Sequence, residues 1–343
     1  MGEQFSRSRG HFSRNVSTPT GKPSPAGLVT VVIPCFNQAR YLREALASVH
    51  AQDWPQIESI VIDDGSTDET SAVATRVGAT TVRRMPNQGL SRARNSGLEL
   101  ALGEFVIFLD ADDELLADAA RSGIAALERH PHAGCVAGRC RLMDAEGRPL
   151  LTTHPSLITP DLYRELLRTN FIWTPGAAIF RAEAVRAIGG FPVEHPAAAD
   201  YALMLALARR RLLVIEPRDV VRYRKHDANM SRDSMLMLRA TLAVLEKEQA
   251  HAPAEYRRAL AEGRRQSRIF YGEALSVELR REWRGPRRPM LLAKGAMFLC
   301  RHCPSKAAMH VWRKITRVIR QLPPTDLDDT VSQESAAGAE PLI

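Results

Sequence analysis

Glu104-Phe105-Val106-Ile107-Phe108-Leu109-Asp110-Ala111-Asp112-Asp113 is an apolar run that ends abruptly in three carboxylates. Five consecutive apolar residues, β-branched and aromatic, suit a strand buried on both faces. Three acids directly after such a strand repel one another and are costly unless a cation or hydrogen-bond donors compensate. Mg²⁺ and Mn²⁺ take one or two carboxylates together with phosphate oxygens, which a nucleoside diphosphate supplies. Asp110, Asp112 and Asp113 are therefore candidate metal ligands. The competing reading is an acid-rich helix N-terminus, favoured by the helix dipole.

Upstream, the same grammar repeats. Val29 to Cys35 is a second buried strand. A helix follows, with Tyr41, Leu42, Ala45, Leu46 and Val49 at helical spacing. Ile57 to Ile62 forms a third strand and ends in Asp63-Asp64-Gly65, after which Ser66 and Glu69 stand at the spacing of a capping box. A short strand at Thr80 to Arg83 and an amphipathic helix through Leu90 to Leu102 lead back to the opening stretch. Strands alternating with helices in this way build βαβ units and a parallel sheet. Ligands of such sheets gather at the carboxyl ends of the strands, where Asn37, Asp63, Asp64, Asp110, Asp112 and Asp113 fall. A carboxylate of the Asp63-Asp64 pair can accept from the N–H of a uracil or similar base, or can serve as an Asx turn that introduces the next helix.

Downstream, Trp173 to Phe180 reads as a strand, Gly189-Gly190-Phe191 as a turn and Asp200 to Arg210 as a helix. From Met237 to Leu322 the pattern is almost entirely helical, with breaks at Pro286 and Pro304. This stretch holds 19 Lys plus Arg against 7 Glu and no Asp. That excess of 12 exceeds the net charge of +8 for the whole chain, so the basicity belongs to this region and the remainder is acidic.

The succession Pro34-Cys35-Phe36-Asn37, Asp63-Asp64-Gly65-Ser66, Asn87-Gln88-Gly89 with Ala93-Arg94-Asn95, and Phe108 to Asp113 resembles the family 2 glycosyltransferases, inverting enzymes of GT-A fold. The resemblance extends from about Val29 to Ser231. It implies an α/β, Rossmann-like, mostly parallel sheet flanked by helices, with a C-terminal helical region beyond it. It also implies that Pro34, Phe36, Asn37 and Asp64 line a nucleoside pocket, with Arg94 beside the donor. Asp110 and Asp112, the family's DxD pair, would hold the diphosphate through Mn²⁺ or Mg²⁺, with Asp113 adjacent. Gly176 to Arg181, Gly189-Gly190-Phe191 and Asp200-Tyr201 resemble the family's acceptor side, in which Asp200 would be the catalytic base. Ala199 stands where the family has Glu, which bears on acceptor positioning. Tyr223-Arg224-Lys225-His226 and Asn229-Met230-Ser231 resemble its closing segment, with His226 either reaching the metal or serving as a loop histidine bonded to backbone.

What the resemblance implies is a sugar transfer from a nucleotide sugar, a UDP-sugar first, to a saccharide or lipid-linked saccharide acceptor in bacterial polysaccharide or glycolipid synthesis. Two alternatives remain open at this point. One is a haloacid-dehalogenase-like phosphatase using Asp-x-Asp, and the other a catalytically inactive nucleotide-sugar-binding protein.

Composition bounds the rest. With 45% apolar and 25% charged residues the chain is not wholly disordered. The expected divisions are a disordered segment 1–27, a catalytic domain 28–235, a basic helical region 236–322 and an acidic disordered tail 323–343. Residues 1–27 hold no apolar run that could serve as the core of a secretory signal. The stretch Met290 to Cys300 is interrupted by Lys294 and is short of the ~20 residues that span a bilayer. The five cysteines are odd in number and read as reduced thiols, with Cys300-x-x-Cys303 on a helix face rather than in a zinc site. A cytoplasmic protein is expected, with no nucleic-acid partner. The basic amphipathic stretch 305–322 has two readings: its apolar stripe packs on the catalytic domain with its charges solvated, or it makes peripheral contact with the inner face of the plasma membrane.

Overall fold

The computed structural model describes residues 25–151, 159–284 and 289–303. The chain divides into two compact units, Met1–Asn229 and Met230–Ile343.

The first unit is built on an eight-stranded sheet. In chain order its elements are β1 (Val29–Cys35), α1 (Leu42–His50), β2 (Ile57–Asp63), α2 (Thr70–Val77), β3 (Thr81–Arg84), α3 (Leu90–Leu100), β4 (Phe105–Phe108), β5 (Glu114–Leu115), α4 (Ala119–Arg129), β6 (Cys135–Met143), α5 (Leu162–Arg168), β7 (Ala178–Arg181), α6 (Ala182–Ile188), α7 (Ala199–Arg209) and β8 (Leu213–Arg224). The strands lie in the order β3-β2-β1-β4-β7-β6-β8-β5. The four strands on the β3 side pair in parallel. β7 is antiparallel to both its neighbours, β6 and β8 are parallel, and the short β5 closes the far edge antiparallel to β8. The architecture is thus mixed α/β, wholly parallel where the βαβ pattern was legible and mixed in direction where the sequence lost its regularity.

β1 lies at the centre with every residue buried. Its odd positions Val29, Val31, Ile33 and Cys35 pack with Leu42, Leu46 and Val49 of α1 and with Ile124 and Leu127 of α4 in the main core. The opposite face receives α3. There Gly97 is required by close approach, because a Cβ would lie 2.2 Å from Val32 Cγ1. The chain runs from β1 outward to β2 and β3, then returns to place β4 on the other side of β1. This reversal opens a crevice at the carboxyl ends of β1 and β4, the usual place for a ligand in such sheets.

Three local expectations are corrected. Ser66 and Glu69 do not form a capping box: α2 starts at Thr70, and the Ser66 hydroxyl accepts from the Asn37 N–H at 2.9 Å. The nearby loops compete for that hydroxyl and win. Trp173 to Phe180 is not one strand, because Thr174 accepts from the Gly176 N–H and turns the chain through a 3₁₀ turn at Pro175–Ala177. The strand starts only at Ala178, after a proline that has no N–H to give a ladder. The helical run of the second unit has a further break between Glu248 and Arg257, around Pro253.

That second unit contains α8 (Ser234–Glu248), α9 (Arg257–Arg284) and α10 (Pro289–His302). Asp233 caps α8 by accepting from the Leu236 N–H at 2.9 Å. The three helices share a small core of Leu238, Leu275, Leu279, Phe298, Leu299 and Cys303. Cys303 donates to the Arg268 carbonyl, and Cys300 is exposed. The basic amphipathic stretch 305–322 lies outside the described residues. Among the described residues, no helix is long and apolar enough to cross a membrane.

Candidate active site

Two loops at the carboxyl ends of β1 and β2 are laced together by short polar side chains. Asn37 adopts the left-handed conformation (φ 54°) that Asn tolerates better than most residues. Its N–H donates to Ser66 Oγ, and its Oδ1 accepts from the Thr67 N–H at 2.8 Å. Beside it, Phe36 holds its ring in solvent at 48% exposure while Pro34 is buried in β1. Asp64 is buried, and its two oxygens accept from the Gln88 and Gly89 N–H groups at 2.8 and 2.7 Å. Burial pushes the Asp63 carboxyl up, but hydrogen bonds from Ser66 and Ser71 and the charge of Arg84 outweigh it. Asp63 is held below the ordinary carboxylate range.

The acids after β4 are arranged differently. Asp113 is 1% exposed. One of its oxygens accepts from the Arg224 N–H at 2.9 Å and the other lies 3.3 Å from Thr174 Oγ1. Burial first, then the neighbouring Asp112 and Asp110, push its carboxyl well above the usual range. Asp110 and Asp112 instead reach the crevice, with side chains 25% and 14% exposed. Arg94 Nη2 donates to Asp110 Oδ1 at 2.6 Å. His226 Nε2 lies 2.8 Å from Asp112 Oδ2, and Asn229 Nδ2 lies 3.4 Å from the same oxygen.

The surroundings assign the His226 tautomer. Its Nδ1 accepts from the Ala228 N–H at 3.2 Å, so the proton of a neutral ring sits on Nε2 and is donated to Asp112. Both ring nitrogens are therefore engaged. The ring also stacks on Tyr41, with centroids 4.9 Å apart. His226 thus stands directly beside Asp112, one of the two acids of the Asp-x-Asp pair.

Asp200 stands in the first turn of α7, and its Oδ1 accepts from the Tyr201 N–H at 2.8 Å. Burial raises its carboxyl above the usual value, Arg94 opposes the rise and Asp110 adds to it. The structure thus brings Asp110 and Asp200 within the field of one buried guanidinium. Ala199, at the position before Asp200, is fully buried.

Several residues that support the site were not singled out as such from sequence. Arg224, 1% exposed, donates to the Asp112 carbonyl at 2.8 Å and to Glu114 at 2.7 Å, pairs with Glu44, and lies 4.8 Å from the Tyr41 ring centroid. It pins the DxD loop to α1 and the end of β8. Asn95 exchanges two 2.8 Å hydrogen bonds with the Phe191 backbone and so fixes the Gly189-Gly190-Phe191 turn. These contacts link residues about a hundred positions apart, and nothing local in the sequence signals them.

Residues 30–189 match the model of glycosyl transferase family 2. This domain is a family 2 glycosyltransferase domain. An uncharacterised protein of Mycobacterium tuberculosis is 28% identical to the chain over 236 residues, 64% of this chain and 72% of that one. An uncharacterised glycosyltransferase of Nostoc sp. is 29% identical over 212 residues, 59% of this chain and 66% of its own. A Campylobacter jejuni protein named GalNAc(5)-diNAcBac-PP-undecaprenol beta-1,3-glucosyltransferase is 39% identical over 97 residues, 26% of this chain and 31% of that one. The chain spans less than two thirds of the length of the last two. Among solved structures, residues 1–349 of S. aureus TarS in complex with UDP-GlcNAc superpose with a TM-score of 0.57 at 21% identity, covering 69% of this chain and 71% of that one. The mannosyltransferase PcManGT from Pyrobaculum calidifontis, in complex with GDP-Man and Mn²⁺, gives 0.54 at 20% identity over 88% of this chain and 89% of its own. At such identities the likeness is one of fold, and the fold is that of GT-A glycosyltransferases.

Proposed function

We propose that the chain is an inverting glycosyltransferase that moves a sugar from a nucleotide sugar to an acceptor hydroxyl in the β1–β4 crevice. One observation carries the reading. Of the five acids that end β2 and β4, Asp110 and Asp112 alone present partly exposed carboxylates, while Asp63, Asp64 and Asp113 are buried on backbone donors.

The donor set fits a hard divalent cation. Among the described residues no three His, Cys, Asp or Glu form a metal cage. Two carboxylates alone leave the remaining coordination to phosphate oxygens and water, as Mg²⁺ and Mn²⁺ prefer. Asp110 and Asp112 would hold the ion, and His226 and Asn229 orient Asp112. Asp113 acts behind them by fixing the end of β8. When bound, the cation neutralises charge that develops on the nucleoside diphosphate.

The other roles fall to the chain's own side chains. The exposed Phe36 ring offers a face to a nucleobase, with Pro34, Asn37 and Asp64 shaping the pocket beneath it. Asp200 takes the proton of the acceptor hydroxyl as its oxygen attacks the anomeric carbon. Its raised proton affinity suits a general base better than an ordinary surface carboxylate does. A single displacement inverts the anomeric centre, so an α-linked donor gives a β-linked product. A UDP-sugar donor, a saccharide or lipid-linked acceptor and a place in bacterial surface polysaccharide or glycolipid synthesis complete the reading. The inner face of the plasma membrane is its proposed location. The undecaprenol in the name of the Campylobacter protein supports the lipid-linked acceptor by analogy, and the UDP-GlcNAc bound to the S. aureus protein supports the UDP-sugar. The phosphatase alternative gives no role to the β1 and β2 loops and has no support in the family match.

Incubation with UDP-, GDP- and dTDP-sugars and Mn²⁺ tests the proposal through release of nucleoside diphosphate. Release with one donor class, abolished by EDTA and by Asp200→Asn, is expected. Release that persists undiminished in Asp200→Asn moves the base elsewhere. No release from any donor with any acceptor supports the inactive binding protein.

A further inference from the structure

One aromatic ring touches two of the side chains that hold Asp112. Arg224 donates to the Asp112 backbone carbonyl at 2.8 Å, and His226 Nε2 lies 2.8 Å from the Asp112 carboxylate. Tyr41 meets both of them. Its ring stacks on the His226 ring with centroids 4.9 Å apart and planes 30° from parallel, and the Arg224 guanidinium carbon stands 4.8 Å from its centroid. The Arg40 guanidinium carbon lies 4.8 Å from the same centroid. Tyr41 is buried at the start of α1, where its carbonyl accepts from the Glu44 and Ala45 N–H groups at 2.9 and 3.2 Å.

These contacts form a chain of support. Cations over an aromatic ring are attracted by its quadrupole, so Arg40 and Arg224 steady the Tyr41 ring while the backbone bonds of α1 fix its Cα. The ring nitrogens of His226 are bonded to its own loop and to a partly exposed carboxylate, and neither bond stops the imidazole from turning to another rotamer that takes Nε2 away from Asp112. The stack on Tyr41 opposes that turn. Tyr41 also closes the loop that carries Phe36 and Asn37, where the Gln38 and Ala39 N–H groups donate to Thr70 Oγ1 and Asp68 Oδ2 at 3.0 and 3.1 Å. The loop proposed to hold the nucleobase and the acid proposed to hold the metal are thus linked through one ring.

We infer that Tyr41 is a positioning residue for the metal site: its ring, steadied by Arg40 and Arg224, holds His226 in the pose whose Nε2 proton orients Asp112, so that a divalent cation meets a carboxylate whose orientation is already set. The face of the ring carries this role, and the hydroxyl does not. The inference rests on the metal reading of Asp112.

Mn²⁺ alone is the probe, titrated against the full chain and followed by loss of the free-ion signal in electron paramagnetic resonance. Tyr41→Leu keeps an apolar side chain but removes the ring, and is expected to bind Mn²⁺ about fivefold more weakly, the cost of ordering one freed side chain. Tyr41→Phe keeps the ring and is expected to bind as the unaltered protein does. In a His226→Gln background, Tyr41→Leu should weaken binding no further, because the ring acts through His226. Equal binding by Tyr41→Leu and the unaltered protein overturns the inference. So does a loss of the same size with and without His226, which a role confined to packing predicts, and so does Tyr41→Phe binding as weakly as Tyr41→Leu. A second measurement needs no Tyr41 variant to fold. The ring nitrogen resonances of His226 at neutral pH, identified by their absence in His226→Gln, should report one tautomer with its proton on Nε2. Exchange between tautomers, or a proton on Nδ1, overturns the inference. Failure of the unaltered protein to bind Mn²⁺ overturns the metal reading itself, and the inference with it.

Discussion

The two acidic strand ends of this protein look alike in sequence and differ in what surrounds them. After β2, Asp63 and Asp64 are buried, and their oxygens accept from backbone N–H groups of Ser66, Gln88 and Gly89. After β4, Asp110 and Asp112 are partly exposed and held by the side chains of Arg94, His226 and Asn229. Backbone donors cannot leave without unfolding a loop, whereas side chains can swing away. The first pair is therefore fixed by the backbone, and the second is held by groups that can move.

The sharpest way to break this contrast is to remove one acid of each kind. Asp110→Asn or Asp112→Asn should lower nucleoside diphosphate release by about 10²–10³-fold, with little change in melting temperature. Asp64→Ala should show the opposite profile. It orphans the Gln88 and Gly89 N–H groups, at ~1–3 kcal/mol for each buried donor left unsatisfied, and calorimetry should record a lower melting temperature. Equal losses of stability in both kinds of variant would show that the β4 acids are structural too.

Much of this contrast was out of reach of the sequence. The βαβ half was legible because β1, β2 and β4 are apolar runs closed by acids, and periodicity finds both strands and helices there. The half of mixed strand direction was harder. Thr174 and Pro175 interrupt an apolar stretch that reads as one strand, and β8 carries a mixture of buried and exposed residues over its twelve positions. The acids themselves were visible, but their division into buried and available depends on Arg224, Thr174 and the α3 N-terminus. Those groups reach them only through the fold. The same holds for Nε2 of His226, which meets Asp112 only through the fold, whereas its Nδ1 accepts from the neighbouring Ala228 N–H, the backbone bond that a loop histidine makes.

A smaller effect sharpens the contrast within the acceptor side. Burial holds the Asp200 proton affinity up, so its ionised form costs the folded state stability. The sign follows from the direction of the shift. The cost is fully present above the raised folded value and vanishes once pH falls below the ordinary value of 3.8, where the carboxyl is protonated whether folded or not. Asp200→Asn should therefore melt higher than the unaltered protein at neutral pH, and its advantage should fade towards pH 4. An advantage that does not change with pH would mean that Asp200 is not the group responsible.

The central claim, that Asp110 and Asp112 bind a nucleotide sugar through a divalent cation, is tested most directly by melting temperature. A ligand bound only by the native state raises it. The account predicts that Mn²⁺ and one class of nucleotide sugar together raise it more than either does alone, and that this joint shift disappears in Asp110→Asn and in Asp112→Asn. The same joint shift in both variants would contradict the account.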